Sequence, residues 1–498
     1  SWVMEPSAHS AAHTRVFSVS SYAPPLPVGP LRWDTAAMRL SLLVACLWCT
    51  STACAPAWKY DPAALVQAIR GSAELPLPAA PKIAPSDLLI LHARPWNPTQ
   101  EHPSASTNLL VRNGVLAQWD APDAVDGVPT LDAQGAYLLP GLMDMHVHLS
   151  MAPGAALRGD DAVTTAQLRH QHLRAYLAYG VTTILDPAVD AVVARQVLAA
   201  RQQGFPGPDY LHLGPVFSTP GGYMEDLFPP GIAGPQDIAP HVETLVQSQA
   251  VGIKLTVEPG MMSNIWNVHP TPLLAAASAA AGERGLRTYV HAMTQPTWEV
   301  ALSLKPHALV HHPETADATL VAETRRSGAY VITTLSPWDV SNIVRETVPS
   351  APWQDAAVPP LVRATLRDEA SLQRYNQGAL GELVPSIPRF MLPALSRLST
   401  TGLGHWAEDR MLQPRLKSSG SALRALGAAG VPLVMGSDSG NWPLFPYYLH
   451  GPTTWRELVL LERAGFTPRE VLRMATLNAS AMVERPDRGC LTTGCRAD

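Results

Sequence analysis

From residue 137 onward, short apolar runs rich in β-branched residues alternate with longer stretches of helical period. The strand candidates are Tyr137–His148, Val181–Pro187, Tyr210–Ser218, Ile253–Glu258, Arg287–Met293, Ala308–Pro313, Tyr330–Leu335 and Pro432–Asp438. Helical stretches fill most of the intervals: Thr164–Tyr179, Val189–Gln203, Val242–Ala250, Pro272–Arg284 and Asp317–Arg326. Such alternation predicts an α/β fold of parallel strands joined by right-handed crossovers. Eight strand units fit a closed (β/α)8 TIM barrel over residues 137–483 better than an open doubly wound sheet. Thr467-Pro468-Arg469-Glu470 adds an N-cap Thr, a Pro at the first helical position and a capping-box Glu, which predicts a helix over Arg469–Met482.

The chain ahead of the barrel reads differently. Leu88–Ala93, Asn108–Val111 and Val115–Trp119 are short strand-like runs, with Asn113-Gly114 as a hairpin turn between the last two. Residues 55–136 therefore predict a linker and a small β-domain. Between the seventh and eighth strands, residues 336–416 form a long Pro-rich insertion with helical pieces, a lid or side wall.

Residues 38–54 follow the order of a secretory signal: Arg39 after a methionine, an apolar run to Trp48, then small residues to Cys54. The run is too short to span a bilayer. Ser51-Thr52-Ala53-Cys54 resembles a bacterial lipobox, so Cys54 would carry a lipid anchor on an exported, periplasmic lipoprotein. Residues 1–37, upstream of Met38, are Ser/Pro/Ala-rich without periodicity, and no structure is expected there.

Composition narrows the function. Of 498 residues, 46% are hydrophobic and 15% charged, enough for a large core. The net charge of −5 provides no basic field for nucleic acid or anionic lipid. Cys46, Cys49 and Cys54 sit in the signal, which leaves Cys490 and Cys495 in the body, spaced to form a disulfide in an oxidising compartment. Any metal site in the body must be built without thiolates.

In a barrel of this type, chemistry gathers at the C-terminal ends of the strands. Strand one ends in Asp144-Met145-His146-Val147-His148, and two histidines at i and i+2 on a strand share a face and can reach one ion. Strand four carries Lys254 between apolar neighbours, a costly placement unless the amine is neutralised or paired. His291 ends strand five, His311-His312 strand six and Asp438 strand eight. Each alone has a structural explanation. Together they read as a metal site.

This pattern resembles the amidohydrolase superfamily, whose PGhIDxHxH signature is close to Pro140-Gly141-Leu142-Met143-Asp144-Met145-His146-Val147-His148. Gly180–Thr183 and Glu457–Ala479 match further family stretches, and the likeness runs from about Leu88 to Asp498, most like the imidazolonepropionase-related and Xaa-Pro-dipeptidase-like branch. The resemblance implies two divalent metal ions, with zinc expected. His146 and His148 would bind the more buried ion and His291 and His312 the second, with His311 the competitor of His312. Lys254 would bridge both as a CO2-derived carboxylate, and Asp438 would contact the first ion and serve as general base and acid. Relatives continue into further strands of the small domain, so residues 484–498 would be the start of a truncated C-terminal part of a composite β-domain.

The expected activity is hydrolysis of an amide or peptide-like C–N bond in a small-molecule substrate. The alternatives are a lactonase or phosphotriesterase-like esterase using the same ions, a mononuclear deaminase, or a binding protein on a degenerate barrel. Thr294, three residues beyond His291 where deaminases of the superfamily carry Glu, argues against deamination. Gly221-Gly222-Tyr223 stands where relatives have Gly-Gly-His, so Tyr223 and, by position, His450 are the candidate substrate contacts. Trp338, Trp353 and Trp442 are candidates to line an apolar pocket. A homo-oligomer is compatible with this reading.

Overall fold

A computed structural model describes residues 67–68, 70–71, 87–150, 162–260, 265–339, 358–367, 402–440 and 448–497. The expected signal with Cys54, the upstream segment, Trp353, Trp442 and much of the 336–416 insertion lie outside the described residues.

The first part is a small mixed sheet. Strands β1 (Leu88–Pro95), β2 (Thr107–Arg112), β3 (Val115–Trp119) and β4 (Thr130–Asp132) lie in the order β3-β2-β1-β4, and β5 (Tyr137–Leu138) pairs with β1. Asn113 and Gly114 both take positive φ, 50° and 72°, the pattern of a two-residue hairpin turn between β2 and β3. One face of the sheet buries Ile90, Ala93, Leu109, Val111 and Leu116 together with Leu491 from the chain's end. That end is held against β3: Leu116 donates its N–H to the Cys495 carbonyl at 2.8 Å, and a disulfide joins Cys490 to Cys495.

Eight parallel strands follow: β6 (Leu142–Asp144), β7 (Val181–Asp186), β8 (Asp209–His212), β9 (Gly252–Thr256), β10 (Arg287–His291), β11 (Ala308–Val310), β12 (Tyr330–Ile332) and β13 (Leu433–Val434). They form one sheet of β6-β7-β8 and another of β9 through β13. Isolated parallel bridges, Phe217 with Leu255 and Val147 with Ser439, link the two sheets at both seams. The arrangement is an α/β fold, TIM-barrel-like, with helices between the strands.

Side chains on successive strand positions enter two different cores, as burial on both faces requires. Val290, Leu309 and Val331 pack with the surrounding helices, whereas Tyr289, Ala308, Val310 and Ile332 join Met143, Met145, Leu185 and Val434 in an inner cluster. Ala479 and Met482 from the last helix, Leu477–Met482, close that cluster near the strand starts, where His307 and Arg287 contact the Met482 carbonyl. The strand ends are left for the site.

Three expectations need correction. Tyr137–His148 is not one strand: Pro140 removes a ladder donor, and Gly141 sits so close to Thr182 that a Cβ would collide, so β5 and β6 belong to different sheets. The helix expected over Arg469–Met482 is two, Pro468–Met474 and Leu477–Met482, broken at Thr476, whose φ and ψ are −139° and −90°. Helices Gln295–Ser303 and Pro452–Arg463 went unrecognised, as did the 417–428 part of Gly402–Ala428, a helix that starts inside the expected insertion.

Candidate metal centre

A bend at Met145 and His146 ends β6 and turns the two following histidines toward strand eight. Gly436 makes the approach of that strand feasible, because a Cβ there would lie 2.7 Å from His146 Cβ. Asp144 ties the two strands together, accepting from Ser437 N at 2.9 Å, Ser437 Oγ at 2.6 Å and Thr454 Oγ1 at 2.6 Å. Asp438 then takes a left-handed conformation, φ 57°, and donates its N–H to the His146 carbonyl at 2.8 Å. Its Oδ1 lies 3.2 Å from His146 Nε2 and 3.0 Å from His148 Nε2.

These three buried residues can hold a metal ion, with ligand atoms all within 4.8 Å of one another. Burial works against an ionised Asp438, yet the His146 and His148 rings hold its carboxyl well below the usual carboxylate range. Burial pushes His146 down to about 3, so its ring is neutral and able to ligate.

The remaining candidates arrive from β9, β10 and β11. Lys254 is buried, and burial pulls its amine down to about 7, with Asp438 opposing. The His291 ring centroid is 4.3 Å from that of His311, which is 4.9 Å from that of His146. His311 Nδ1 meets Thr334 Oγ1 at 2.8 Å, which leaves Nε2 as its free ligating atom.

Here the structure departs from the sequence-based preference. His312 is buried, but its ring has no contact with the other site histidines among the described residues, and its Nδ1 lies 3.4 Å from the Pro313 carbonyl. The alternation of Ala308 and Val310 would carry His312 inward, but His311 has φ 75° and breaks the alternation, so His311 takes the inward place.

Tyr223 is half-buried, its ring 4.8 Å from that of His291 and 5.0 Å from Trp266. His450 stands behind His148: its Nε2 meets the His148 carbonyl at 3.1 Å and its ring stacks on His172 at 3.7 Å. Gly440, φ 77°, leaves room for that contact, since a Cβ would strike both His148 O and His450. Trp338 is buried under Arg415.

Sequence reasoning missed Glu258. It is buried, and its Oε2 lies 3.1 Å from His291 Nε2. The signal was present: Glu258 ends the expected strand Ile253–Glu258, four residues beyond Lys254 and on the same face.

Fold and cluster together define a TIM-barrel-like α/β protein with a candidate metal centre at its strand ends. A family model for the amidohydrolase family matches residues 137–498. The chain belongs to the amidohydrolase family and is a hydrolase acting on carbon–nitrogen bonds. Solved structures similar to it include a Xaa-Pro dipeptidase with methionine bound in the active site, at 18% identity over 83% of this chain and 93% of that one, TM-score 0.62. A. niger ochratoxinase follows at 18% identity, 83% and 88% coverage and TM-score 0.58. The bottromycin amidohydrolase has 19% identity, 87% and 83% coverage and TM-score 0.54. At these identities the likeness is one of fold. No curated protein matches the sequence.

Proposed function

We propose that the chain is a binuclear amidohydrolase that cleaves an amide or peptide-like C–N bond, in an N-acyl amino acid, a dipeptide or a cyclic amide. The observation that carries this reading is the convergence of His146, His148 and Asp438 with Lys254, His291 and His311 at the strand ends. The donors are imidazole nitrogens and a carboxylate, which suit divalent zinc. His146, His148 and Asp438 would hold one ion, and His291 with His311 the second. That the dipeptidase, ochratoxinase and bottromycin amidohydrolase structures share the fold supports an amide substrate.

Lys254 would complete the site as a carboxylate. With its pKa pulled down to about 7 by burial, much of the amine is unprotonated at neutral pH. Its nitrogen lone pair can then add to CO2, forming an N–C bond and releasing a proton. The buried lysine becomes an anion with two acceptor oxygens, a charge that divalent ions at the site would compensate.

The ions, when bound, acidify water from a pKa of 15.7 to roughly 7 and polarise the scissile carbonyl. The remaining work falls to side chains. Asp438, held ionised, accepts a proton from the attacking water on its carboxylate and returns it to the leaving nitrogen. Thr334 Oγ1 meets the His311 ring at Nδ1, which fixes the ring's orientation. Tyr223, against His291, walls the substrate side. In this reading the eight strands close as one barrel, and the Cys490–Cys495 segment forms one composite domain with the small sheet. The disulfide fits an exported, Cys54-anchored protein.

A substrate panel tests the proposal. With zinc and bicarbonate, dipeptides, N-acyl amino acids or cyclic amides should turn over with higher kcat/KM than lactones and aryl esters. Turnover of esters alone would refute amide specificity.

A further inference from the structure

We propose that Glu258 is itself a ligand of the second metal ion, a carboxylate that the superfamily-derived ligand set does not contain. The inference rests on the binuclear reading above and adds a residue to it.

Leu255 and Val257 pack into the helix-facing core, so the period-2 alternation of β9 and its continuation turns Lys254, Thr256 and Glu258 to the opposite, inner face. Glu258 is 3% exposed, and a buried carboxylate is costly unless it is paired. It makes two contacts: Oε1 accepts the Gly260 N–H at 2.7 Å, and Oε2 faces His291 Nε2 at 3.1 Å. The first fixes the carboxylate's orientation. The second occupies the atom with which His291 would ligate.

The pairing repeats the geometry of the first cluster. There Asp438 Oδ1 faces Nε2 of His146 and His148 at 3.2 and 3.0 Å. A tetrahedral zinc ion with bonds of about 2.0–2.1 Å holds its ligand atoms roughly 3.3 Å apart. Both His–carboxylate pairs already sit near that separation. When an ion replaces the proton shared between His291 and Glu258, nitrogen and oxygen can coordinate it with little rearrangement. His311, between the rings of His146 and His291, joins the two clusters.

The test is metal binding by the full chain, stripped with chelator and titrated with zinc or cobalt in the presence of bicarbonate. Wild-type protein should take two equivalents. Glu258→Gln should bind the first with unchanged affinity and the second at least about tenfold more weakly. The visible absorption of the second cobalt equivalent should also change, which loss of an outer hydrogen bond alone would not produce to the same degree. Glu258→Asp, which keeps the charge but withdraws it by one methylene, should weaken the second equivalent as well and serves if the Gln variant does not fold. Either variant whose second cobalt equivalent keeps the wild-type spectrum, at whatever affinity, overturns the proposal. Wild-type protein that takes only one equivalent overturns the binuclear reading, and this inference with it.

Discussion

Glu457 accepts the backbone N–H of Thr334 at 3.0 Å, and Thr334 in turn holds the His311 ring at 2.8 Å. The same carboxylate takes the N–H groups of Leu335 and Ser336 at 2.9 and 2.8 Å and the Ser336 hydroxyl at 2.7 Å. Thr334 has φ 127°, a strained position for a β-branched residue that the surrounding bonds must impose. Removing the carboxylate leaves three buried N–H donors without it. Glu457→Ala should therefore lower the unfolding free energy by about 2–4 kcal/mol, measured by urea denaturation. A loss below about 0.5 kcal/mol would show that the loop is held by other contacts.

The exchange of His311 for His312 is checked by paired variants. His311→Ala should weaken the second metal equivalent by about tenfold or more. His312→Ala should leave both equivalents in place and cost only stability, read from metal content and thermal melts on the same samples. The reverse pattern would restore His312 as the ligand.

Much of the centre was legible because strand chemistry is periodic. His146 and His148 at i and i+2, a lysine inside an apolar strand, and an aspartate ending the last strand stand out as a set, and the structure gathers His146, His148 and Asp438. What was hidden depends on backbone departures that sequence does not announce. Nothing in Val310-His311-His312-Pro313 shows that His311 will take φ 75°. The contact of His450 with the His148 carbonyl depends on Gly440, which admits its ring, and no sequence spacing announces it. The seam between β6 and β13 rests on Asp144, buried and raised to about 6 by burial, whose role appears only with Ser437 and Thr454 in place.

Asp438→Asn separates proton transfer from metal binding. The amide keeps an oxygen donor but cannot accept the proton. Turnover should fall about 10²–10⁴-fold with the metal content largely kept, measured as kcat alongside plasma mass spectrometry. Full turnover in a metal-loaded variant would remove Asp438 from the proton path.

Stability should fall with acid. Burial pushes His172, His212 and His241, which lie outside the proposed ligand set, down to about 4 from the ordinary 6.5. Below pH 6.5 the unfolded chain binds protons that the folded chain refuses. Their stabilisation is complete above 6.5 and is lost as pH falls toward 4, by about 1.4 kcal/mol per group and pH unit. Asp144, Asp186 and Glu457, raised by burial to about 6, 7 and 7, work the other way and gain stability as pH drops from 7. The depressed histidines also include His146, His170, His311, His312 and His450, so they outweigh the three carboxylates. Chelator-treated protein should melt at a lower temperature at pH 5.5 than at 7.5. A higher melting temperature at pH 5.5 would mean the carboxylates dominate.

The most direct measurement is the number of ions that activity requires. Chelator-stripped full-length chain, in bicarbonate, would be titrated with zinc while hydrolysis of a dipeptide or N-acyl amino acid is followed. Amide hydrolysis should return in proportion to added zinc and level off at two equivalents per chain. A plateau at one equivalent, or hydrolysis that stripping leaves intact, would contradict a binuclear amidohydrolase.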